Sequence, residues 1–326
     1  MTQDQLEISS PFHAGELQAQ DRMGVREKIG RVAGRRVRNH MPDQHREFYA
    51  ALPFVLLGTV DTLGRPWASI VAGHPGFMST LNPRSLEIAA NPLFGDPLAG
   101  NLKPGADIGL LGLQPETRRR NRLSGRVREA GPTGISIEVT QAFGNCPQYI
   151  QSRTVDLRAE IDTPHTERPI SYADKFDDDV RTLIERSDTL FIATAYRDQA
   201  DAAVQGADVS HRGGKPGFVR VEDDRTFVLP DFSGNLHFNT VGNILLNPRT
   251  GFLFVDFDSG DLVYMTGQAE IIWDGKDVEA FEGAERLIRF RAEAVIRVED
   301  SLPLRFRFDE YSPMLERTGS WHFPSE

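Results

Sequence analysis

Two runs in the second half of the chain hold the residue types best suited to chemistry. Ser210-His211-Arg212-Gly213-Gly214-Lys215 precedes Pro216-Gly217-Phe218-Val219, and Asp231-Phe232-Ser233-Gly234-Asn235 leads through Asn239, Thr240 and Asn243 into a helix-like stretch ending at Asn247. Glycines let a backbone approach a planar or phosphorylated ligand closely. Ser, Asn and Thr at a helix start suit an anion, because the first-turn N–H groups have no partner within the helix. Arg212 and Lys215 supply neutralising charge. The same pieces also make an ordinary β-turn followed by a capped helix, and residue types alone leave both readings open. The run Arg118-Arg119-Arg120-Asn121-Arg122, continued by Arg126 and Arg128, is a second basic feature. It either faces solvent and pairs with carboxylates, or reaches a ligand held by the other half.

Other catalytic templates are missing. The chain has no His-Glu-x-x-His, no Cys-x-x-Cys, no Gly-x-Ser-x-Gly and no P-loop. Its 8 histidines show no metal-ligand spacing, so no metal is expected. The lone Cys146 excludes an intrachain disulfide and, with no base beside it, reads as an inert buried thiol. Lys+Arg 37 against Asp+Glu 47 gives a net charge of -10, which repels nucleic acid and anionic membranes. No aromatic residue sits within the arginine run to stack on bases. Apolar stretches such as Phe54 to Leu57 are far shorter than the ~20 residues of a membrane span. With a polar, acidic stretch from Met1 to Ser10, the expected location is the cytoplasm.

Short strands must position these residues. Residues 54–60 read as a buried strand, with 67–71 as its hairpin partner, and strands follow at 107–113, 122–129 and 135–142. Late in the chain Ile288, Phe290, Ala292, Ala294 and Ile296 share one parity, the mark of a half-buried strand. Residues 15–40 read as one basic helix with an apolar stripe, stopped by Met41-Pro42. Pro164, Pro169 and an acidic cluster read as a linker. The halves also echo each other. A helix over 44–51 leads into strand 54–60, as one over 177–187 leads into strand 190–196. Pro75-Gly76-Phe77 recurs as Pro216-Gly217-Phe218, and Leu123-Ser124-Gly125 as Met265-Thr266-Gly267 at nearly the same offset. Either an internal duplication or chance recurrence of common turn tripeptides accounts for this.

The two loop runs, together with Asn243-Ile244-Leu245-Leu246-Asn247-Pro248-Arg249 and Thr266-Gly267-Gln268-Ala269, resemble the pyridoxamine 5′-phosphate oxidase-like, FMN-binding split-barrel family. The first half resembles a divergent copy, through Arg65-Pro66-Trp67-Ala68-Ser69, the arginine run and residues 143–150. The resemblance implies a mainly β fold, a β-barrel with short helices: two tandem split barrels forming an intrachain pseudo-dimer, plus an N-terminal helical arm. The divisions are 1–43 for the arm, 44–160 for the first barrel, 161–176 for the linker and 177–326 for the second barrel. It implies FMN, with Gly217, Phe218 and Val219 along the isoalloxazine. Asp231, Phe232, Ser233, Asn235, Asn239 and Thr240 then line the ribityl and phosphate side, with Ser210 and Arg212. Trp67, Ser69, Arg119 and Arg120 close one site per chain from the first half. The closely spaced Arg and Lys that hold the flavin phosphate in the family's oxidase have no match here. The expected function is a flavin-dependent oxidoreductase acting on a small molecule with NAD(P)H as electron donor, the alternative being a non-catalytic flavin or nucleotide carrier or scaffold. The basic arm packs over the two barrels or bridges to another chain, as in a homodimer of pseudo-dimers.

Overall fold

The computed structural model describes residues 10–163, 165–198 and 204–322, and of residues 32–36 the backbone alone. Pro164 of the expected linker, and the Val32, Ala33, Arg35 and Arg36 side chains of the basic helix, lie outside the described residues. Three helices come first: α1 (Ala14–Arg22), α2 (Arg26–Arg36) and α3 (Asp43–Ala51). The single helix expected over 15–40 is thus two. Glu16 at the third helical position of α1 accepts from the His13 backbone, and His13 accepts in return, a reciprocal cap. The chain leaves α1 by a turn at Gly24, whose φ of 66° favours glycine.

The first half continues as β1 (Phe54–Val60), β2 (Pro66–Ala72), β3 (Met78–Ser79), β4 (Ser85–Ile88), α4 (Leu98–Asn101), β5 (Asp107–Gln114), β6 (Arg119–Gly131) and β7 (Gly134–Asn145). After β8 (Ser152–Leu157) and β9 (Ile170–Ala173) the second half begins with α5 (Asp178–Arg186), capped by the Asp177 carboxylate. It runs on as β10 (Thr189–Tyr196), β11 (Gly206–Gly213), β12 (Arg220–Val221), β13 (Thr226–Phe232), α6 (Asn239–Leu246) and β14 (Arg249–Val255). Last come β15 (Leu262–Ile272), α7 (Lys276–Glu279), β16 (Ala284–Val298) and β17 (Leu304–Glu310).

The two main sheets have the same strand order. One is β2-β1-β5-β6-β7-β4-β3 and the other β11-β10-β14-β15-β16-β13-β12. The likeness reaches single residues. An added Cβ on Gly73 would strike the Phe77 ring, as one on Gly214 would strike Phe218. Register shifts occur at Ser124/Gly125 and at Thr266/Gly267, and in both halves an Asn amide reaches a strand Thr: Asn101 to Thr59 at 3.1 Å, Asn243 to Thr194 at 3.0 Å. The molecule is mainly β, two split barrels in one chain behind a helical arm.

Three departures have physical causes. The bulge opposite Gly267 adds one residue to β16, so parity flips there: Ile288, Phe290 and Ala292 face the second barrel's core, whereas Ala294 and Ile296 pack on the shared core between the barrels. The expected linker, 161–176, contains β9, which pairs with β16. And β8, at the end of the first half, pairs with β17 of the second, so the chain ties its halves together twice.

The barrels meet across β1, β2 and β5 on one side and β10, β11 and β14 on the other. Both supply one buried apolar cluster, including Phe54, Leu56, Trp67, Leu111, Phe191, Val209, Leu253 and Tyr264. Glycine permits the approach. A Cβ on Gly58 would lie 2.6 Å from the Asp208 carbonyl oxygen, one on Gly109 2.6 Å from that of Ala207, and one on Gly251 would overlap Pro66. Gly251→Val should therefore lower stability by about 1–3 kcal/mol, the usual range for overpacking. Urea unfolding checks this, and an unchanged midpoint would mean that the barrels separate without cost.

Candidate functional site

A cleft of about 780 Å³, mouth included, opens where the second-half loops face the start of β6. Ser210 and Arg212 reach it from the end of β11, and Asp231 and Phe232 from the end of β13, where a register shift turns the chain out of the sheet. Ser233 and Asn235 come from the following loop, Asn239 and Thr240 from the first turn of α6, and Arg120 from β6. Nine of the expected residues thus share one cavity.

Six do not line it. Phe218 and Val219 are buried in the second barrel's core, and Gly217, at φ 85°, forms the turn that sends Phe218 inward. Trp67 and Ser69 are buried on β2, and the Ser69 hydroxyl donates to Asp96 at 2.6 Å. Arg119 donates to the Gln44 carbonyl and lies 4.5 Å from the Phe48 ring. Strand parity separates it from Arg120: alternate side chains leave opposite faces. Arg122, two positions beyond Arg120, enters the cleft instead. The alternation along the arginine run carried that signal. Arg286 and Phe238 also line the cleft, and no motif pointed to them; Tyr149, from the 143–150 run, lines it as well.

The cleft is strongly cationic. Arg122, 6% exposed, makes an ion pair with Asp208 at 3.2 Å, donates to Asn239 Oδ1 at 2.6 Å and to the Ser210 hydroxyl. Its Nε is buried without a partner. Thr240 Oγ1 donates to Ser210 Oγ at 3.0 Å. Arg212 and Arg286 share the Asp231 carboxylate at 2.9 and 3.2 Å, and Arg286 Nε is likewise unpartnered. Arg120 makes no ion pair among the described residues, and its Nε donates to the Cys146 carbonyl at 2.6 Å. Burial, with the like charges of Arg122 and Arg212, pushes it down to about 9. Burial and the charges of Arg120, Arg212 and Arg153 hold His211 well below the usual imidazole range, so it is neutral, and its Nδ1 has no partner.

Backbone strain gathers here too. Of the five described non-glycine residues with positive φ (Arg118, Tyr149, Leu236, Phe238 and Asp300), Tyr149, Leu236 and Phe238 line the cleft. Such strain costs of order 1–3 kcal/mol per residue and persists where the surroundings enforce it.

The matching groove of the other barrel is closed. Val71 stands at the strand position of Arg212, Tyr264 at that of Arg122 and Leu262 at that of Arg120, and all three are buried. Asp96, in the loop before α4, accepts from Ser69 and from the Leu98 N–H, with the Tyr264 hydroxyl beside it. Ile170 of β9 and Val298 press on Gly95.

A family model described as pyridoxamine 5′-phosphate oxidase matches residues 176–311. Over that span the chain is similar to the pyridoxamine 5′-phosphate oxidase-like proteins. Among solved structures, HupZ of Group A Streptococcus is 18% identical, with 42% of this chain and 98% of that chain covered and a TM-score of 0.29. A protein from Clostridium acetobutylicum, related to general stress protein 26 of B. subtilis and placed in the pyridoxinephosphate oxidase family, is 14% identical, covering 40% of this chain and 92% of that chain at a TM-score of 0.27. No curated protein matches. Among the described residues no helix is long and apolar enough to cross a membrane, and no group of three His, Cys, Asp or Glu could hold a metal.

Asp96 generates a pH prediction. Burial raises it from 3.8 to about 7, so between those values the native state keeps a proton that the unfolded chain releases. Its contribution therefore falls as pH rises through that window, by an amount on the order of a few kcal/mol. Asp96→Asn should gain stability relative to the parent between pH 5 and pH 8 in thermal melts. An unchanged difference would mean that Asp96 is solvated.

Proposed function

We propose that the cleft holds FMN and that the protein is a flavin-dependent oxidoreductase of small molecules, drawing electrons from a nicotinamide donor. The observation that carries the reading is the convergence of Arg120, Arg122 and Arg212 from both halves beside the first turn of α6, with one of these cations unpaired. Like charges this close need an anion, and the α6 N-cap residue makes no side-chain hydrogen bond that would compete for one. The unpartnered Arg122 Nε and Arg286 Nε fit a phosphorylated, oxygen-rich ligand. Arg120, Arg122, Ser233 and Thr240 would hold the phosphate, and Tyr149, Phe232 and Phe238 supply aromatic surface for the ring. When bound, FMN supplies the hydride and electron transfer, and the chain's part is to orient the ring and exclude competing water. The shared strand order and paired Asn–Thr contacts support an internal duplication, and the loss of all three cations from the matching groove supports one site per chain.

A carrier without turnover is the second reading. It is favoured by a cleft whose Asp231 is tied to two arginines and whose His211 is held neutral, leaving no ready proton donor. Stopped-flow reduction of bound flavin by NADH or NADPH separates the two.

Titration should saturate at one FMN per chain; failure to take up FMN, or two per chain, would overturn the proposal. Arg120→Ala should weaken FMN by roughly one to two decades, the worth of a charge-assisted hydrogen bond, and riboflavin far less. Arg212→Ala should cost less, because Asp231 already neutralises that charge. Equal losses for FMN and riboflavin would remove Arg120 from the phosphate.

A further inference from the structure

The N-terminal arm packs on the helix that begins at the cleft. α1 crosses α6 where Gly15 meets Gly242, an approach that an added Cβ on either residue would block. This crossing buries the Glu16 side chain to 3% exposure, far from any role that its exposed neighbours on α1 could share. Glu16 Oε1 accepts from the Asn239 amide, and Oε2 accepts from the His13 N–H at 2.8 Å. Asn239 Oδ1 in turn accepts from Arg122 Nη1 at 2.6 Å. Asn239 and Arg122 are common walls of the cleft and of the small polar cavity beneath α1. A buried Asn has two ways to present its amide, and only one offers its oxygen to Arg122. The contact with Glu16 selects that one.

We propose that helix α1 is part of the ligand site and that Glu16 is its positioning residue: it fixes Asn239, Asn239 fixes Arg122, and Arg122 meets the anionic end of the ligand. The inference rests on the reading of the cleft as an FMN site and extends it to a segment outside both barrels. The chemistry of the acid suits the role. Burial pushes Glu16 up to about 8, so at neutral pH it is protonated and orients the amide without drawing on the charge of Arg122. Arg122 from β6, Asp208 from β11 and the buried, neutral His13 at the start of α1 are the charged and titratable groups that face it. Above about pH 8 the Glu16 carboxylate would compete with the ligand for the guanidinium and add to the negative field of Asp208.

Two variants divide positioning from stability. Both Glu16→Leu and Glu16→Gln lose the bond that Oε2 accepts from the His13 N–H, so both should melt lower. Only Glu16→Gln keeps an oxygen for the Asn239 amide. In the full chain, Glu16→Leu should weaken FMN about tenfold, the order of one hydrogen bond to a charged group, and leave riboflavin nearly unchanged. Glu16→Gln should recover most of that affinity and remove the part of the parent's decline in FMN binding that sets in near pH 8, leaving the later fall as Arg120 loses its charge near pH 9. Parent-like FMN binding by Glu16→Leu, or a Glu16→Gln loss as deep as that of Glu16→Leu, would overturn the inference with the FMN reading intact. If the parent takes up no FMN, that reading fails by itself, and the positioning is still measured without ligand, by NMR exchange of the Arg122 Nε proton. Faster exchange in Glu16→Leu than in Glu16→Gln upholds the role, and equal rates refute it.

Discussion

Everything in this molecule hangs on the close approach of two sheets through glycine. At Gly58, Gly109 and Gly251 one barrel's backbone rests where the other's side chain would have to be. Because no Cβ intervenes, the strands come near enough for Phe191 and Val209 to share a dry core with Leu56 and Leu111. Burial of such side chains contributes roughly 1.5–3 kcal/mol each, so the barrels lose much of their stability if parted. The cleft exists only in that union. Its loops belong to the second half, yet Arg120 and Arg122 arrive from the first. A shift of one ångström between the sheets would pull the guanidinium of Arg122 away from Ser210 and Asn239.

The sequence carried what local chemistry decides. Turn glycines, strand alternation and the loop after Asp231 are short-range signals, and they locate the strands, α6 and most of the cleft. What it could not carry is set by contacts distant in the chain. Gly217, Phe218 and Val219 read as a ligand wall because a Pro-Gly turn before a strand has that form in either role. The burial of Phe218 among Phe227, Phe252 and Phe290 in the second barrel's core, which turns it inward, is tertiary. Arg286 has ordinary neighbours along β16, and only the register with β13, Asp231 opposite Arg286, makes it part of the cleft. The arginine run lay between these cases. Its charge was plain, but which members face inward follows from the phase of β6, and that phase is fixed by pairing Arg120 with Asn145 and Arg122 with Phe143.

The two grooves share one architecture and hold opposite chemistry. Three substitutions of kind, Val71 for Arg212, Tyr264 for Arg122 and Leu262 for Arg120, turn a cationic cleft into an apolar seam. A single carboxylic acid, Asp96, remains buried there. Desolvation raises it to about 7, whereas the carboxylates of the open cleft, Asp208 and Asp231, each face arginine. One groove holds an acid that burial pushes toward its neutral form, the other a guanidinium without an ion pair among the described residues. Only the second groove is open to a ligand that can pair with that charge.

The segments outside the barrels follow the same division. β9, from the crossing chain, brings Ile170 against Gly95 and so fills the apolar groove. The N-terminal arm goes to the other side. α6 is eight residues long and presents Gly242, which lets α1 lie directly on it; α4 has four residues and offers no comparable ridge. The arm thus covers the groove that keeps its cations, and covers it from behind, leaving the mouth free. What it adds beneath Asn239 is an acid that burial keeps uncharged near neutral pH. A lysine there would repel Arg122, and an ionised carboxylate would neutralise it. A neutral hydrogen-bonding group does neither, and so adds no second negative charge to that of Asp208 beside Arg122.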